Sequence, residues 1–273
     1  MNKEIKFCLT VIMDTTGSMS SSIESACDNI MHIFDNLKSI QRDNNIPDGE
    51  IVGQVIQYKD YSERNETDNR CSITSDIDAI KRRLDGFDAD GGGDCGLCNG
   101  WCEDMHYGVE CALNNMEKSP YKDYAHLMLI VGDYCCHGDD PDTRCGMRDH
   151  PFLHVTIRDL WPLYFERMKR FENLQITFIP IDPDNIRYTY DRFKCYDGLN
   201  VTCENCINGN ESGMTIKRIT EDYMKKLIEN NYFYLLQQTQ HIINNITQLN
   251  IKRINFLFVV LMNNITFQFQ SSC

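Results

Sequence analysis

Ile5-Lys6-Phe7-Cys8-Leu9-Thr10-Val11-Ile12-Met13 followed by Asp14-Thr15-Thr16-Gly17-Ser18-Met19-Ser20 is the stretch on which the reading of this chain turns. Its first half is an almost uninterrupted apolar run. A strand buried on both faces of a parallel sheet needs such a run, without the alternation of a half-exposed strand. Its second half sets a carboxylate and two hydroxyls at every second position: Asp14, Thr16 and Ser18. These residues leave the carboxyl end of the strand for a helix, where open α/β sheets place their ligands. Hard oxygens gathered there suit Mg²⁺ or Mn²⁺, with Ca²⁺ a further candidate.

Working outward, the chain alternates strand and helix signals. Ser21 and Glu24 have capping-box spacing, and Ile23, Cys27, Ile30, Phe34 and Leu37 follow on one helical face. Pro47-Asp48-Gly49 is a turn before an alternating strand pattern over 51–59. Residues 71–74 read as a short edge strand and 76–84 as a short helix. Met105, Val109, Ala112, Leu113 and Met116 share another helical face. Residues 125–131 form an apolar strand that ends at Gly132-Asp133. Pro162 falls in the first turn of a helix carrying Phe165, Met168 and Phe171. Residues 176–181 are a further strand, broken by Pro183, and 220–238 a long helical segment. This order predicts an α/β fold: an open, mostly parallel, doubly wound sheet with helices on both faces. The domain is expected to span 1–250, with a Cys-rich insertion at 95–102. A C-terminal extension, 251–273, has no clear period.

Composition sets the outer bounds. The chain has 273 residues, 42% hydrophobic and 25% charged, which is globular rather than disordered. A net charge of −13 argues against nucleic acid and anionic membranes as partners, because both select basic surfaces. No apolar segment reaches the roughly 18 residues of a membrane span. The start of the chain lacks the pattern of a secretory signal, so a reducing, cytoplasmic setting is expected despite the 14 cysteines.

Asp14-x-Thr16-x-Ser18 resembles the metal-ion-dependent adhesion site of von Willebrand factor A domains, whose motif is Asp-x-Ser/Thr-x-Ser. Three further segments agree in order and spacing. Gln57-Tyr58-Lys59-Asp60 is similar to the Tyr-Arg-Asp segment of one branch, which includes the A domains of atypical α-kinases. Gly91-Gly92-Gly93-Asp94 is similar to that branch's Gly-Gly-Gly-Asp loop, although 96–102 intervenes before the Glu103-Asp104 helix start. Leu129-Ile130-Val131-Gly132-Asp133 with His137-Gly138 resembles the later strand and its His-Gly. The resemblance implies a site made by Asp14, Thr16, Ser18 and Asp133. Asp94 stands where the family often has a Thr. It further implies a non-catalytic protein-interaction domain, whose Mg²⁺ or Mn²⁺ bridges to an acidic residue of a protein partner. Without the accompanying segments, Asp14 and Ser18 would read as helix caps. Asp60 and His137 read as loop-fixing residues.

The cysteines form a separate pattern. Cys95-x₂-Cys98-x₃-Cys102 lies in the inserted loop, and Cys135-Cys136 leaves the third strand at the same sheet end. Thiolates at this spacing suit a structural Zn²⁺. Reduced, packed thiols are the equally weighted alternative. Cys203 and Cys206 read as plain thiols, and Cys8 and Cys27 as small core residues. For catalysis, the chain has no phosphate-cradling Gly-x-x-x-x-Gly-Lys-Ser/Thr loop and no Gly-x-Ser-x-Gly elbow. The best catalytic alternative is a haloacid dehalogenase-like, Mg²⁺-dependent phosphotransferase with Asp14 as nucleophile. It would need a second Asp where this chain has Thr16.

Overall fold

β1 (Phe7–Asp14) is buried along its whole length and pairs in parallel with β2 (Ile51–Tyr58) on one side and β3 (Ala125–Gly132) on the other. In the computed structural model β4 (Leu174–Pro180) and β5 (Asn200–Cys203) extend the sheet, giving the all-parallel order β2-β1-β3-β4-β5. The structure describes residues 6–43, 46–47, 50–60, 72–91, 103–118, 120–139, 160–204, 218–220, 222–223 and 225–226. The compact unit carrying the sheet spans Glu4–Met224; of the second unit, Met1–Lys3 with Lys225–Cys273, only 225 and 226 are described, and both are helical. The inserted loop 95–102, the extension 251–273 and the helix expected beyond 226 lie outside the described residues.

Alternate residues of each strand serve the two faces of the sheet. One face carries Cys8, Ile12, Ile56, Tyr58, Met128 and Phe178 in a single apolar cluster. Helices α3 (Met105–Met116), α4 (Leu160–Met168) and α5 (Pro183–Lys194) contribute much of the rest. Trp161, fully buried, stacks on Phe165 and meets Phe193 edge-on. The opposite face is covered by α1 (Ile23–Asp43), whose Phe34 ring occupies the space over Gly53 of β2. Beside it lies α2 (Ile77–Leu84), joined to α1 through the Lys81–Asp35 ion pair.

Several local expectations are corrected. β2 does not alternate between core and solvent: seven of its eight residues are buried, since helices cover both faces. The strand expected at 71–74 reduces, among the described residues, to a single antiparallel bridge in which Thr74 and Gly53 exchange backbone hydrogen bonds. Ser21 belongs to a 3₁₀ turn, Gly17–Ser21, and the Ser22 carbonyl accepts from Ala26 N, so α1 begins one residue later than the capping-box spacing suggests. Pro183 does not merely break a strand but starts α5, with Asp182 as its N-cap accepting from the backbone of Asp184 and Asn185. β5 was not anticipated at all.

Candidate metal centre

The strand order reverses between β1 and β3, so their carboxyl-terminal connections leave in opposite directions and open a crevice between them. Asp14 is the last residue of β1, and Asp133 follows the last residue of β3. Asp14 is fully buried. Its Oδ1 accepts from Thr16 N at 2.8 Å and from Thr16 Oγ1 at 2.7 Å. Thr16 Oγ1 lies 3.0 Å from Ser18 Oγ, carried by the 3₁₀ turn. Ser18 in turn hydrogen-bonds Asp133, which counteracts part of the burial that raises this carboxyl above its ordinary value; nearby Asp182 raises it further. Asp14, Thr16, Ser18 and Asp133 thus form one connected oxygen cluster. Asp94 lies outside the described residues.

The approach of the loop that leads to Asp94 is visible. Gly17 N donates to Gly91 O at 2.9 Å, and Asp90 N donates to Thr15 O. A Cβ on Gly17 would lie 3.1 Å from the Gly91 carbonyl, while Gly91 itself holds φ +68, open mainly to glycine. Lys59, almost fully buried, pairs with Asp90 and anchors this loop to the end of β2.

The segment after Asp133 is braced by buried polar contacts. His137 Nε2 and Asp60 Oδ1 are 2.8 Å apart with both side chains buried, so Asp60 fixes the loop through a side-chain pair. Asp139 receives Trp161 Nε1, Thr189 Oγ1 and Arg192 Nη1. Burial nevertheless pushes its carboxyl up to about 6. Thr189 Oγ1 also accepts from Cys136 N at 2.7 Å. These contacts come from α4 and α5, which the sequence does not point to as supports of the site.

The residues present fit a hard divalent cation. All donors in the cluster are oxygens, and Asp133 Oδ1 is buried with no hydrogen-bond partner among the described residues. No group of three or more His, Cys, Asp or Glu gathers among the described residues; two carboxylates and two hydroxyls do. The zinc expectation is not matched by what is described of it. Cys135 packs with Tyr134 and Tyr188, whereas Cys136 belongs to the main apolar cluster with its sulfur 2.9 Å from His106 Nδ1. Neighbouring side chains divided in this way do not converge on one ion. Cys95, Cys98 and Cys102 lie outside the described residues. Cys8 and Cys27 are free, and burial raises both to about 12, as befits core thiols. An open pocket beside the cluster is lined by Ser18, Asp133, Tyr134, Asp182 and Asn185. Asp182 could have been found in the sequence, because Asp-Pro is a helix-start signature.

No family model matches the chain, and no curated protein does. Solved structures do. The von Willebrand factor domain of the type V pilus tip protein Mfa5 from Porphyromonas gingivalis aligns at TM-score 0.50 and 9% identity, over 82% of this chain and 97% of that one. The pilus adhesin SpaC from Lactobacillus rhamnosus GG aligns at 0.53 and 10%, over 82% and 31%. The PilB minor pilin from Streptococcus sanguinis aligns at 0.52 and 11%, over 83% and 63%. This chain therefore spans less than two thirds of PilB and under a third of SpaC. At such identities the likeness is one of fold: a von Willebrand factor A-like α/β domain. Among the described residues no helix is long and apolar enough to cross a membrane.

Proposed function

We propose that this domain is a non-catalytic interaction module that binds Mg²⁺ or Mn²⁺ and joins it to an acidic residue of a protein partner. Asp14, Thr16, Ser18 and Asp133 would hold the cation, with Asp94 the candidate further ligand. The observation that carries this reading is the meeting of the Asp14-x-Thr16-x-Ser18 loop with Asp133 at the β1/β3 crevice. A divalent charge there would compensate carboxylates that burial otherwise disfavours, and its remaining coordination would be open to a partner's carboxylate. The Tyr58-Lys59-Asp60 and Gly91–Asp94 segments support placing the domain in the branch that includes atypical α-kinase A domains. The free, buried thiols of Cys8 and Cys27 support a reducing, cytoplasmic setting. Thr16, whose hydroxyl is engaged by Asp14 and Ser18, supplies no acid for phosphoryl transfer, which supports the non-enzymatic reading.

Mn²⁺ titration of the purified protein tests the proposal. One site is expected, lost in Asp14→Ala with the circular dichroism spectrum and cooperative unfolding retained. Unchanged Mn²⁺ binding in that variant would sink the assignment. Mg²⁺-dependent phosphate release from a generic ester that Asp14→Asn abolishes would overturn the non-enzymatic part.

A further inference from the structure

Tyr58 ends β2 directly opposite Asp14 in the β1–β2 register. Its side chain is fully buried and wedged between two glycines. On α3, a Cβ at Gly108 would lie 3.3 Å from Tyr58 Cβ and Cδ1. On β3, a Cβ at Gly132 would lie 2.5 Å from the Tyr58 hydroxyl and 3.6 Å from Asp14 Oδ2. The hydroxyl and Oδ2 of Asp14 therefore share the space that the missing Gly132 side chain leaves. Both Thr16 donors go to the other oxygen, Oδ1. The Tyr58 hydroxyl is buried and has no hydrogen-bond partner among the described residues. A rigidly held donor facing a carboxylate, at a net cost to the fold while unpaired, calls for a role outside packing.

We propose that Tyr58 is a positioning residue for the cation site, its hydroxyl donating to the Oδ2 side of Asp14 when the cation is bound. Thr16 fixes one oxygen of Asp14, and Tyr58 fixes the other. This keeps the carboxylate correctly turned, as partners of ligating carboxylates do. The inference rests on the proposed cation site.

The experiment is Mn²⁺ titration and metal-free urea unfolding of the wild type, Tyr58→Phe, Gly132→Ala and the double variant. Tyr58→Phe should weaken Mn²⁺ binding about tenfold or more. Its metal-free unfolding midpoint should be unchanged or higher, because only an unpaired hydroxyl is removed. Gly132→Ala, which displaces the hydroxyl, should weaken binding in the wild-type background and add little in the Tyr58→Phe background. If the wild type binds no Mn²⁺, the cation site fails and this inference fails with it. If the wild type binds and Tyr58→Phe binds within about twofold of it, well short of the usual loss, the Tyr58 assignment alone is overturned. It is equally overturned if Tyr58→Phe loses metal-free stability in step with affinity, since that is the behaviour of a packing residue.

Discussion

Asp133 pairs a local disadvantage with a proposed use. Its carboxyl is raised by burial, its Oδ1 has no hydrogen-bond partner among the described residues, and Asp182 adds like charge. A side chain so placed burdens the metal-free fold. Asp133→Asn keeps the shape and removes the charge. It should therefore raise metal-free stability by up to about 1 kcal/mol while abolishing Mn²⁺ binding. Paired urea unfolding and Mn²⁺ titration check both signs; a variant less stable than the wild type without metal would contradict the account. At this scale Asp14, Thr16 and Ser18 were legible because their spacing is local to one loop. Asp133 was legible because it closes an apolar run. Tyr58 was not, since its relation to Asp14 exists only in the register of β1 with β2 and in the gap over Gly132.

Among the elements, α5 does most to frame the site that the sequence left unassigned. Asp182 caps it, accepting from Asp184 N and Asn185 N, and Asn185 Nδ2 returns to Asp182 Oδ2. Through Thr189 and Arg192 the same helix holds Asp139 and the Cys136 backbone, hence the chain that follows Asp133. Asp182→Ala should cost about 1 kcal/mol of stability, whereas Asp182→Asn, an equally good cap, should cost little. Chemical denaturation of the two variants separates capping from charge. A deficit in Asp182→Asn as large as in Asp182→Ala would show that the charge, and not the cap, is what matters. In the sequence Pro183 reads as a strand breaker, yet its fixed φ equally suits the first turn of a helix, and a lone proline does not distinguish the two. β5 was missed because it is a four-residue edge strand, intermediate to exposed, with no apolar run to announce it.

For the molecule as a whole, two buried groups set opposing pH responses. His126 is fully buried, with Nε2 2.9 Å from the Tyr121 carbonyl, and burial lowers it to about 4. The unfolded chain binds its proton from about pH 6.5 downward, so stability held above that value is lost as pH falls toward 4, roughly 3 kcal/mol in all. Asp139 runs the other way. Its folded carboxyl titrates near 6. An unfolded Asp titrates near 3.9, so the folded state gains roughly 3 kcal/mol relative to the unfolded as pH falls through that window. In the wild type the two contributions largely offset. Relative to it, His126→Gln should gain stability on going from pH 7 to 4, and Asp139→Asn should lose it. Urea unfolding at unit pH steps measures both. The same sign for the two variants would refute the assignment of either group.

The sequence by itself determined the fold class and the core of the candidate site. Uninterrupted apolar runs at β1 and β3, each closed by a carboxylate, suit central parallel strands buried on both faces. Carboxylates and hydroxyls at their ends then fall where parallel strands expose their carboxyl termini. These are properties of short stretches, and short stretches carry them. Only the tertiary structure decided the rest. It placed Cys135 and Cys136 in separate apolar surroundings, against a shared zinc site. It turned the expected alternation of β2 into burial on both faces, because α1 covers one side and α3 the other. It brought Tyr58, Asp139 and Asp182 around the site from elements far apart in the chain. Pairing register, helix docking and the space left by a glycine are relations between segments. No periodicity or motif within one segment encodes them.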